Sequence, residues 1–137
     1  MDVPQEFKDI LVYVATPFTH DETVVENNRA ALVGLVSAKL ELAGISVFSP
    51  ITHSEGLRKY AEFDGTYETW KKTDRLFVQK LDEIWILKIK GWRESEGVTD
   101  EIAWAVGHCK PVKYIVFDQI SNVLEIKDSM GKLIFKI

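Results

Sequence analysis

The unbroken apolar run of residues 10–15, Ile-Leu-Val-Tyr-Val-Ala, constrains the fold of this chain more than any other feature. A strand with one face in water alternates apolar and polar side chains, whereas a parallel strand covered by helices on both faces is apolar throughout. The run therefore predicts a central parallel strand that ends at Thr16-Pro17. Apolar side chains then recur at helical spacing over residues 22–43, and Gly44 provides a helix stop.

The rest of the chain continues this alternation of strands and helices. We predict strands over residues 45–48, 83–87 and 112–117, helices over 66–81 and 98–107, and a polar loop through 52–54. Residues 123–126 and 133–137 predict a terminal hairpin. Helix-sized crossovers imply parallel pairing, so we expect a Rossmann-like or flavodoxin-like α/β fold, a parallel sheet sandwiched by helices with a C-terminal β-hairpin, as a single domain over residues 1–137.

Charge and composition narrow the classes of partner. A net charge of −4 with interspersed signs argues against a polynucleotide, which requires a basic surface. The apolar runs are strand-sized and residues 1–9 lack the pattern of a signal peptide, so we expect a cytoplasmic protein with no membrane partner. The single Cys109 and the scattered histidines His20, His53 and His108 lack metal-ligand spacing, so we expect neither a metal nor a cofactor.

The turn over residues 91–101 is the segment richest in chemical groups. It follows the predicted strand 83–87 and therefore lies at the carboxyl edge of the sheet, where open α/β sheets bind ligands. Ser95 is a candidate helix cap, Gly97 allows close backbone approach, and Glu101 stands about one turn into the helix, where the dipole favours the ionised carboxylate. An ionised carboxylate in a pocket is a candidate nucleophile, although Glu101 could instead merely complement the helix dipole.

A second acid lies on the apolar face of the helix predicted over residues 66–81. Asp74 stands between Trp70 and Phe77 on that face. Burial would raise its pKa and make it a proton donor, whereas the alternative is a structural salt bridge with Arg75 or Arg29. Tyr13 on the central strand would need a partner for a buried hydroxyl, and a carboxylate at the same edge would provide one.

Four ordered motifs carry a resemblance to a known family. They are Val12-Tyr13-Val14-Ala15-Thr16-Pro17-Phe18, Trp70-x-x-x-Asp74, Asp82-x-Ile84-x-Ile86-Leu87 and Ser95-x-Gly97-x-x-x-Glu101. Together, over about residues 10–117, they resemble the nucleoside 2-deoxyribosyltransferase superfamily, which includes the 2′-deoxynucleoside 5′-phosphate N-hydrolases. The segment around Trp92 is most similar to a small bacterial group whose activity is not settled. The resemblance implies that Glu101 attacks C1′ of the sugar, that Asp74 handles the proton of the leaving base, and that Tyr13 positions the nucleophile.

The resemblance also implies a substrate. Six residues before the nucleophile, the transferases carry an acid and the 5′-phosphate hydrolases a phosphate-binding serine, and this chain has Ser95. We therefore expect cleavage of the N-glycosidic bond of a nucleoside 5′-monophosphate. Gly97, Thr16, Phe18, Trp92 and His53 are the other candidate substrate-binding residues.

Two features leave the function open. The first loop lacks the glycine that is common in the family, and Pro17 removes a backbone donor. The side chains that could compensate are those of Thr16, Thr19, His20 or His53, with Arg29 or Arg93 as possible phosphate partners. The alternatives are a base-exchanging transferase and a non-catalytic nucleotide-binding sensor module. In each case the partner is a small nucleoside or nucleotide, and the resemblance implies a homo-oligomer.

Overall fold

The computed structural model describes residues 3–64 and 66–137. A short 3-10 helix, Gln5–Lys8, precedes the first strand. The strands are β1 (Leu11–Ala15), β2 (Ser46–Phe48), β3 (Glu83–Leu87), β4 (Val112–Asp118), β5 (Val123–Lys127) and β6 (Leu133–Lys136). The helices are α1 (Thr23–Leu42), α2 (Pro50–Leu57), α3 (Tyr67–Lys80) and α4 (Glu96–Gly107).

The strands form one sheet in the order β2-β1-β3-β4-β5-β6. The first four are parallel, and β5 and β6 add antiparallel strands at the edge next to β4. The predicted fold class is therefore confirmed, including the C-terminal hairpin. Pairing between β4 and β5 extends the parallel sheet, so the hairpin is part of the main sheet.

Helices cover both faces of the central strands, which explains why residues 10–15 form an unbroken apolar run. Val12 and Val14 pack in a cluster with Val33 and Leu40 of α1. Residues on the opposite face pack in a second cluster that includes Val78 of α3 and residues of α4. Because successive side chains of a strand point to opposite faces, both sets must be apolar to be buried.

The order of the strands creates a crevice at the carboxyl edge. After β1 the chain passes to β2 on one side of β1, and after β3 it passes to β4 on the other side of β3. The loops that follow the neighbouring strands β1 and β3 thus diverge, and this switch point is where open α/β sheets bind ligands.

Two of the predicted local structures are wrong. Residues 52–54, predicted as a polar loop, lie in α2, where Ser49 Oγ accepts a hydrogen bond from the Thr52 N–H (3.2 Å) and Pro50 occupies the first turn. A capping serine followed by proline is a helix-start signal that outweighs the polar composition of the segment. Helix α4 begins at Glu96, two residues before the predicted start.

No helix in the described part of the chain is both long and apolar enough to cross a membrane.

Candidate active site

A cavity of about 350 Å³ lies at the switch point, between the loops that follow β1 and β3 and the helices α2, α3 and α4. It contains both acids that the sequence singles out. The residues that line it include Thr16, Phe18, Thr19, Ser54, Arg58, Tyr67, Trp70, Asp74, Glu94, Ser95, Glu96, Gly97 and Glu101.

Glu101 is the most buried acid of the site. Its side chain lies within α4 and is 3% exposed, and one carboxylate oxygen, Oε2, accepts a hydrogen bond from the Tyr13 hydroxyl. Tyr13 is itself fully buried in β1, so the strand fixes the position of the hydroxyl and thereby of the carboxylate. The expected partnership between the tyrosine and a carboxylate is thus present in the structure.

Burial, and not the helix dipole, is the main influence on the pKa of Glu101. Burial raises the pKa of Glu101 well above its usual value, and the charge of Asp74 raises it further, while the Tyr13 hydroxyl opposes both effects. Because α4 begins at Glu96, Glu101 is the sixth helical residue, and the dipole effect falls off within the first turn. Desolvation therefore dominates the ionisation of this carboxylate.

Asp74 is the second buried acid, with 7% of its surface exposed. Burial raises its pKa from 3.8 to about 7. The alternative of a salt bridge with Arg75 or Arg29 is wrong, since Arg75 binds Asp100 and Arg29 binds backbone carbonyl groups. At neutral pH a substantial fraction of Asp74 is therefore protonated, as a proton donor requires.

Asp100 faces away from Glu101, as their helical positions predict. Its carboxylate accepts hydrogen bonds from Arg75 Nε (3.0 Å) and from the Tyr67 hydroxyl (2.7 Å), and the hydrogen bond from Arg75 lowers the pKa of Asp100. These contacts join α3 to α4 and hold the Tyr67 ring in the cavity wall. Adjacent acids of one helix thus have opposite environments.

The start of α4 forms one end of the cavity. Ser95 caps the helix, since its Oγ accepts a hydrogen bond from the Val98 N–H at 3.2 Å. Gly97 packs against Tyr67, and a Cβ atom at this position would stand 3.0 Å from Tyr67 Cδ1. The absence of a side chain at Gly97 therefore allows α3 and α4 to approach each other.

The loop after β1 brings Thr16 and Phe18 to the floor of the cavity. Thr16 is 5% exposed, and within residues 3–64 and 66–137 its hydroxyl Oγ1 has no hydrogen-bond partner. A buried hydroxyl without a partner is costly, and a ligand group in the cavity would satisfy it. The Phe18 ring lies 5.9 Å from the guanidinium carbon of Arg58.

Arg29 fixes the loops that follow β1 and β3 relative to each other. Its Nη1 donates to the carbonyl oxygens of Phe18 and Thr19, each at 3.2 Å, and its Nη2 donates to the Lys90 carbonyl oxygen at 3.3 Å. Gly91 leaves room for this side chain, since a Cβ atom there would stand 2.5 Å from Arg29 Nη2. Arg29 therefore organises the site instead of lining the cavity.

The structure does not bring Trp92 or His53 to the cavity. The Trp92 ring packs edge-on against Tyr114, with 5.5 Å between ring centroids, so it anchors the loop by packing. His53 lies on α2 against Phe48, with 5.5 Å between centroids, and lines a different depression near β2. Arg93 is exposed and stacks on Trp92.

A larger cleft of about 970 Å³ lies beside this cavity and shares Thr19, Glu94 and Ser95 with it. Its other lining residues come mainly from α1 and from the loop after β3. The two buried acids line the smaller cavity, so that cavity is the better candidate for chemistry.

Arg58 was not predicted as a site residue, and it is the only cationic residue among those that line the cavity in the described part of the chain. It follows the end of α2, and it was missed because residues 52–54 were predicted as a loop. The Ser49-Pro50 signal could have placed it two turns along a helix. Trp70, which was predicted to lie on an apolar helix face, lines the cavity together with Tyr67.

Within residues 3–64 and 66–137, no group of three or more His, Cys, Asp or Glu side chains could hold a metal ion. The donor set of the cavity consists instead of carboxylates, hydroxyls, backbone N–H groups and one guanidinium group. These are groups that hold and move protons and that bind polar organic ligands.

Comparison with known proteins supports the fold and assigns a family. The structure resembles that of the 2-deoxyribosyltransferase from the psychrotolerant bacterium Bacillus psychrosaccharolyticus, described as a biocatalyst for the synthesis of antiviral and antitumoral nucleosides. The TM-score is 0.55 and the identity 22%, over 77% of this chain and 72% of the other. None of the curated proteins matches the sequence. Residues 10–117 match the family described as "Domain of unknown function (DUF1937)", and the chain belongs to that family.

Proposed function

We propose that this protein is an enzyme that cleaves the N-glycosidic bond of a nucleoside 5′-monophosphate, with Glu101 as the nucleophile. The observation that carries the proposal is the pair of buried acids, Asp74 and Glu101, which line one cavity while Tyr13 binds the second of them. Two carboxyl groups with different protonation states are what glycosidic bond cleavage through a covalent intermediate requires. The fold shared with a 2-deoxyribosyltransferase is consistent with this chemistry.

In the first step, a carboxylate oxygen of Glu101 attacks C1′ of the sugar. A bond forms between this oxygen and C1′, and the C1′–N bond breaks with its electron pair passing to the base. Asp74 donates its proton to the base, which leaves as a neutral molecule. The transition state resembles an oxocarbenium ion, so the negative charge of Glu101 stabilises it.

In the second step, water replaces the base. Asp74, now a carboxylate, takes one proton from a water molecule whose oxygen attacks C1′. The ester bond between C1′ and Glu101 breaks, and its electron pair returns to the glutamate. The free sugar phosphate leaves, and both acids regain their starting protonation states.

The two acids are suited to sharing one proton. The charge of Asp74 raises the pKa of Glu101, so protonation of Asp74 favours ionisation of Glu101. The Tyr13 hydroxyl then donates to the ionised form of Glu101. We infer that the active form carries the proton on Asp74 and the negative charge on Glu101. The reverse arrangement would have neither a proton donor at Asp74 nor a nucleophile at Glu101.

The phosphate is proposed to bind at the Ser95 end of the cavity. The first backbone N–H groups of α4 have no acceptor within the helix, and the Ser95 hydroxyl can donate to an anion while its oxygen caps Val98. The Thr16 hydroxyl, which is buried without a partner in the described residues, supplies a further hydrogen bond. This side chain takes the place of the glycine-containing loop of the superfamily.

Base exchange is the second candidate reaction, because the similar structure is that of a protein described as a 2-deoxyribosyltransferase. In that case a second base, instead of water, would attack the glycosyl-enzyme. Ser95 in place of an acid supports hydrolysis of a nucleotide. A non-catalytic nucleotide sensor would bind the nucleotide in the same cavity without cleaving it.

We further propose a cytoplasmic homo-oligomer that acts on small nucleosides or nucleotides and binds neither polynucleotides nor membranes. The net charge of −4 supports the absence of a polynucleotide partner. Light scattering coupled to size-exclusion chromatography would give the subunit number, and a monomer at micromolar concentration would contradict the oligomer.

The test is release of free base from a panel of ribonucleotides, deoxyribonucleotides and their nucleosides, with and without an acceptor base. We expect release from monophosphates without an acceptor. Ser95→Ala should reduce the preference for nucleotide over nucleoside, and an unchanged preference would remove its phosphate role. Exchange only in the presence of an acceptor would favour the transferase, and binding without release would favour the sensor.

A further inference from the structure

Arg58 and Ser95 both line the cavity but come from different parts of the fold. It follows α2, which comes after β2, whereas Ser95 precedes α4, which comes after β3. In the sheet β2 and β3 flank β1 on its two sides, so the two residues approach the cavity from opposite directions. A ligand that spans the cavity therefore has one end near each residue.

The two ends have different chemistry. The Ser95 end offers backbone N–H groups and hydroxyls, which suit a phosphate. At the other end, Phe18 lies 5.9 Å from the Arg58 guanidinium carbon, and Trp70 also lines the cavity. Aromatic rings and a planar guanidinium group bind flat π systems by stacking and by hydrogen bonds at the edge. The base of the substrate therefore belongs at the Arg58 end.

Arg58 is able to offer its hydrogen-bond donors to a ligand. Its Nη1 donates to Glu55 Oε1 at 3.0 Å, and the two side chains are 31% and 40% exposed. A salt bridge this accessible to water contributes little to stability, so a ligand can displace Glu55 from Arg58. The other guanidinium nitrogens form no hydrogen bond with the described residues, and they leave a two-donor fork on one edge of the group.

We propose that Arg58 binds the edge of the base and selects a 6-oxopurine over adenine, an inference that rests on the proposed nucleotide substrate. Arg58 has donors only, so its partner edge must carry acceptors only. Guanine and hypoxanthine present two neighbouring acceptors, O6 and N7, whereas adenine presents a donor beside N7. The positive charge also stabilises the electron pair that the departing base receives.

The test compares 2′-deoxyinosine 5′-monophosphate with 2′-deoxyadenosine 5′-monophosphate, which differ at position 6 of the purine and in the proton on N1. Base release and calorimetric binding of both nucleotides and of their nucleosides are measured for the wild type, Arg58→Gln and Arg93→Gln. We expect the wild type to prefer hypoxanthine by roughly 5- to 150-fold, the discrimination of a good two-donor contact. Arg58→Gln should reverse the preference, because glutamine matches N6 and N7 of adenine. Arg93→Gln removes an exposed arginine outside the cavity and should change neither ratio.

Three results would overturn the role of Arg58. The first is an unchanged base preference in Arg58→Gln. The second is equal weakening of the binding of both nucleotides with unchanged nucleoside binding, which would assign Arg58 to the phosphate. The third is that neither purine nucleotide binds. Binding and release separate this inference from the proposed function. Base preference in binding without release would refute catalysis alone, whereas release without a preference that depends on Arg58 would refute this inference alone.

Discussion

The burial of Asp74 predicts an unusual dependence of stability on pH, which can be measured before any substrate is known. The perturbation is Asp74→Asn, which keeps the shape of the side chain and removes its ionisation. We expect this variant to gain stability relative to the wild type as the pH rises from 4 to 8. The reason is that the wild type must bury a charged carboxylate at high pH, and the variant does not.

The size of the effect follows from the pKa. The folded protein holds the Asp74 proton up to about pH 7, whereas 3.8 is the ordinary value for the unfolded chain. Between these values the unfolded chain binds fewer protons, so the free energy of unfolding of the wild type falls as the pH rises. A separation of about 3 pH units at 1.36 kcal/mol each gives about 4 kcal/mol, lost progressively from pH about 4 to about 7.

The assay is urea unfolding of both proteins at several pH values between 4 and 8. Burial of the asparagine amide adds an offset at every pH, so the informative quantity is the change in the difference between the proteins. Asp74→Asn also removes the charge that raises the pKa of Glu101, which adds to the effect with the same sign. Asp21→Asn is the matched control, because Asp21 is exposed.

A difference that stays constant within about 1 kcal/mol from pH 4 to 8, as for the Asp21→Asn control, would refute the reasoning. Asp74 would then be solvated or paired in the folded protein. Without a raised pKa, Asp74 would no longer qualify as the proton donor.

Four further predictions concern other residues of the site. Glu101→Gln should abolish base release, measured by chromatography, and leave ligand affinity largely intact, because it removes the nucleophile and keeps its shape. Asp100→Asn should retain turnover but lower the free energy of unfolding by about 1–3 kcal/mol, since its charged hydrogen bonds weaken. Equal losses of activity in Glu101→Gln and Asp100→Asn would contradict the assignment of Glu101 as the nucleophile. Tyr13→Phe should raise the pKa of Glu101 and move the pH profile of kcat to higher pH, because the ionised form loses its donor; an unmoved profile would contradict this. Gly97→Ala should lower the free energy of unfolding by about 1–3 kcal/mol, because its Cβ crowds Tyr67, and unchanged urea unfolding would show that the ring moves freely.

The sequence by itself determined the parallel α/β core. The unbroken apolar runs that end at Ala15 and Leu87 require burial on both faces, and the Ser95 cap marks the helix that follows β3. These features depend on neighbours within a few residues, so a local pattern is sufficient to predict them. The same alternation places Ser95 and Glu101 after β3 at the carboxyl edge.

Only the tertiary structure decided the ionisation and the partners of the side chains. Tyr13 and Glu101 are 88 positions apart and meet only because β1 lies beside β3 and α4. Arg75 forms a salt bridge with Asp100 and not with Asp74, and this too depends on how α3 and α4 pack. A pKa depends on solvent exclusion and on charges brought close by folding, and neither is a property of local sequence.

The site residues outside the motifs also depended on the packing of distant elements. Trp92 and His53 have suitable side chains, but they pack against Tyr114 and Phe48 and do not reach the cavity. Arg58 reaches it because α2 follows the edge strand β2 and covers one side of the switch point. Sequence patterns specify which faces are apolar, but the shape of a cavity is set by the contacts among several elements, which is why the structure was needed to find its walls.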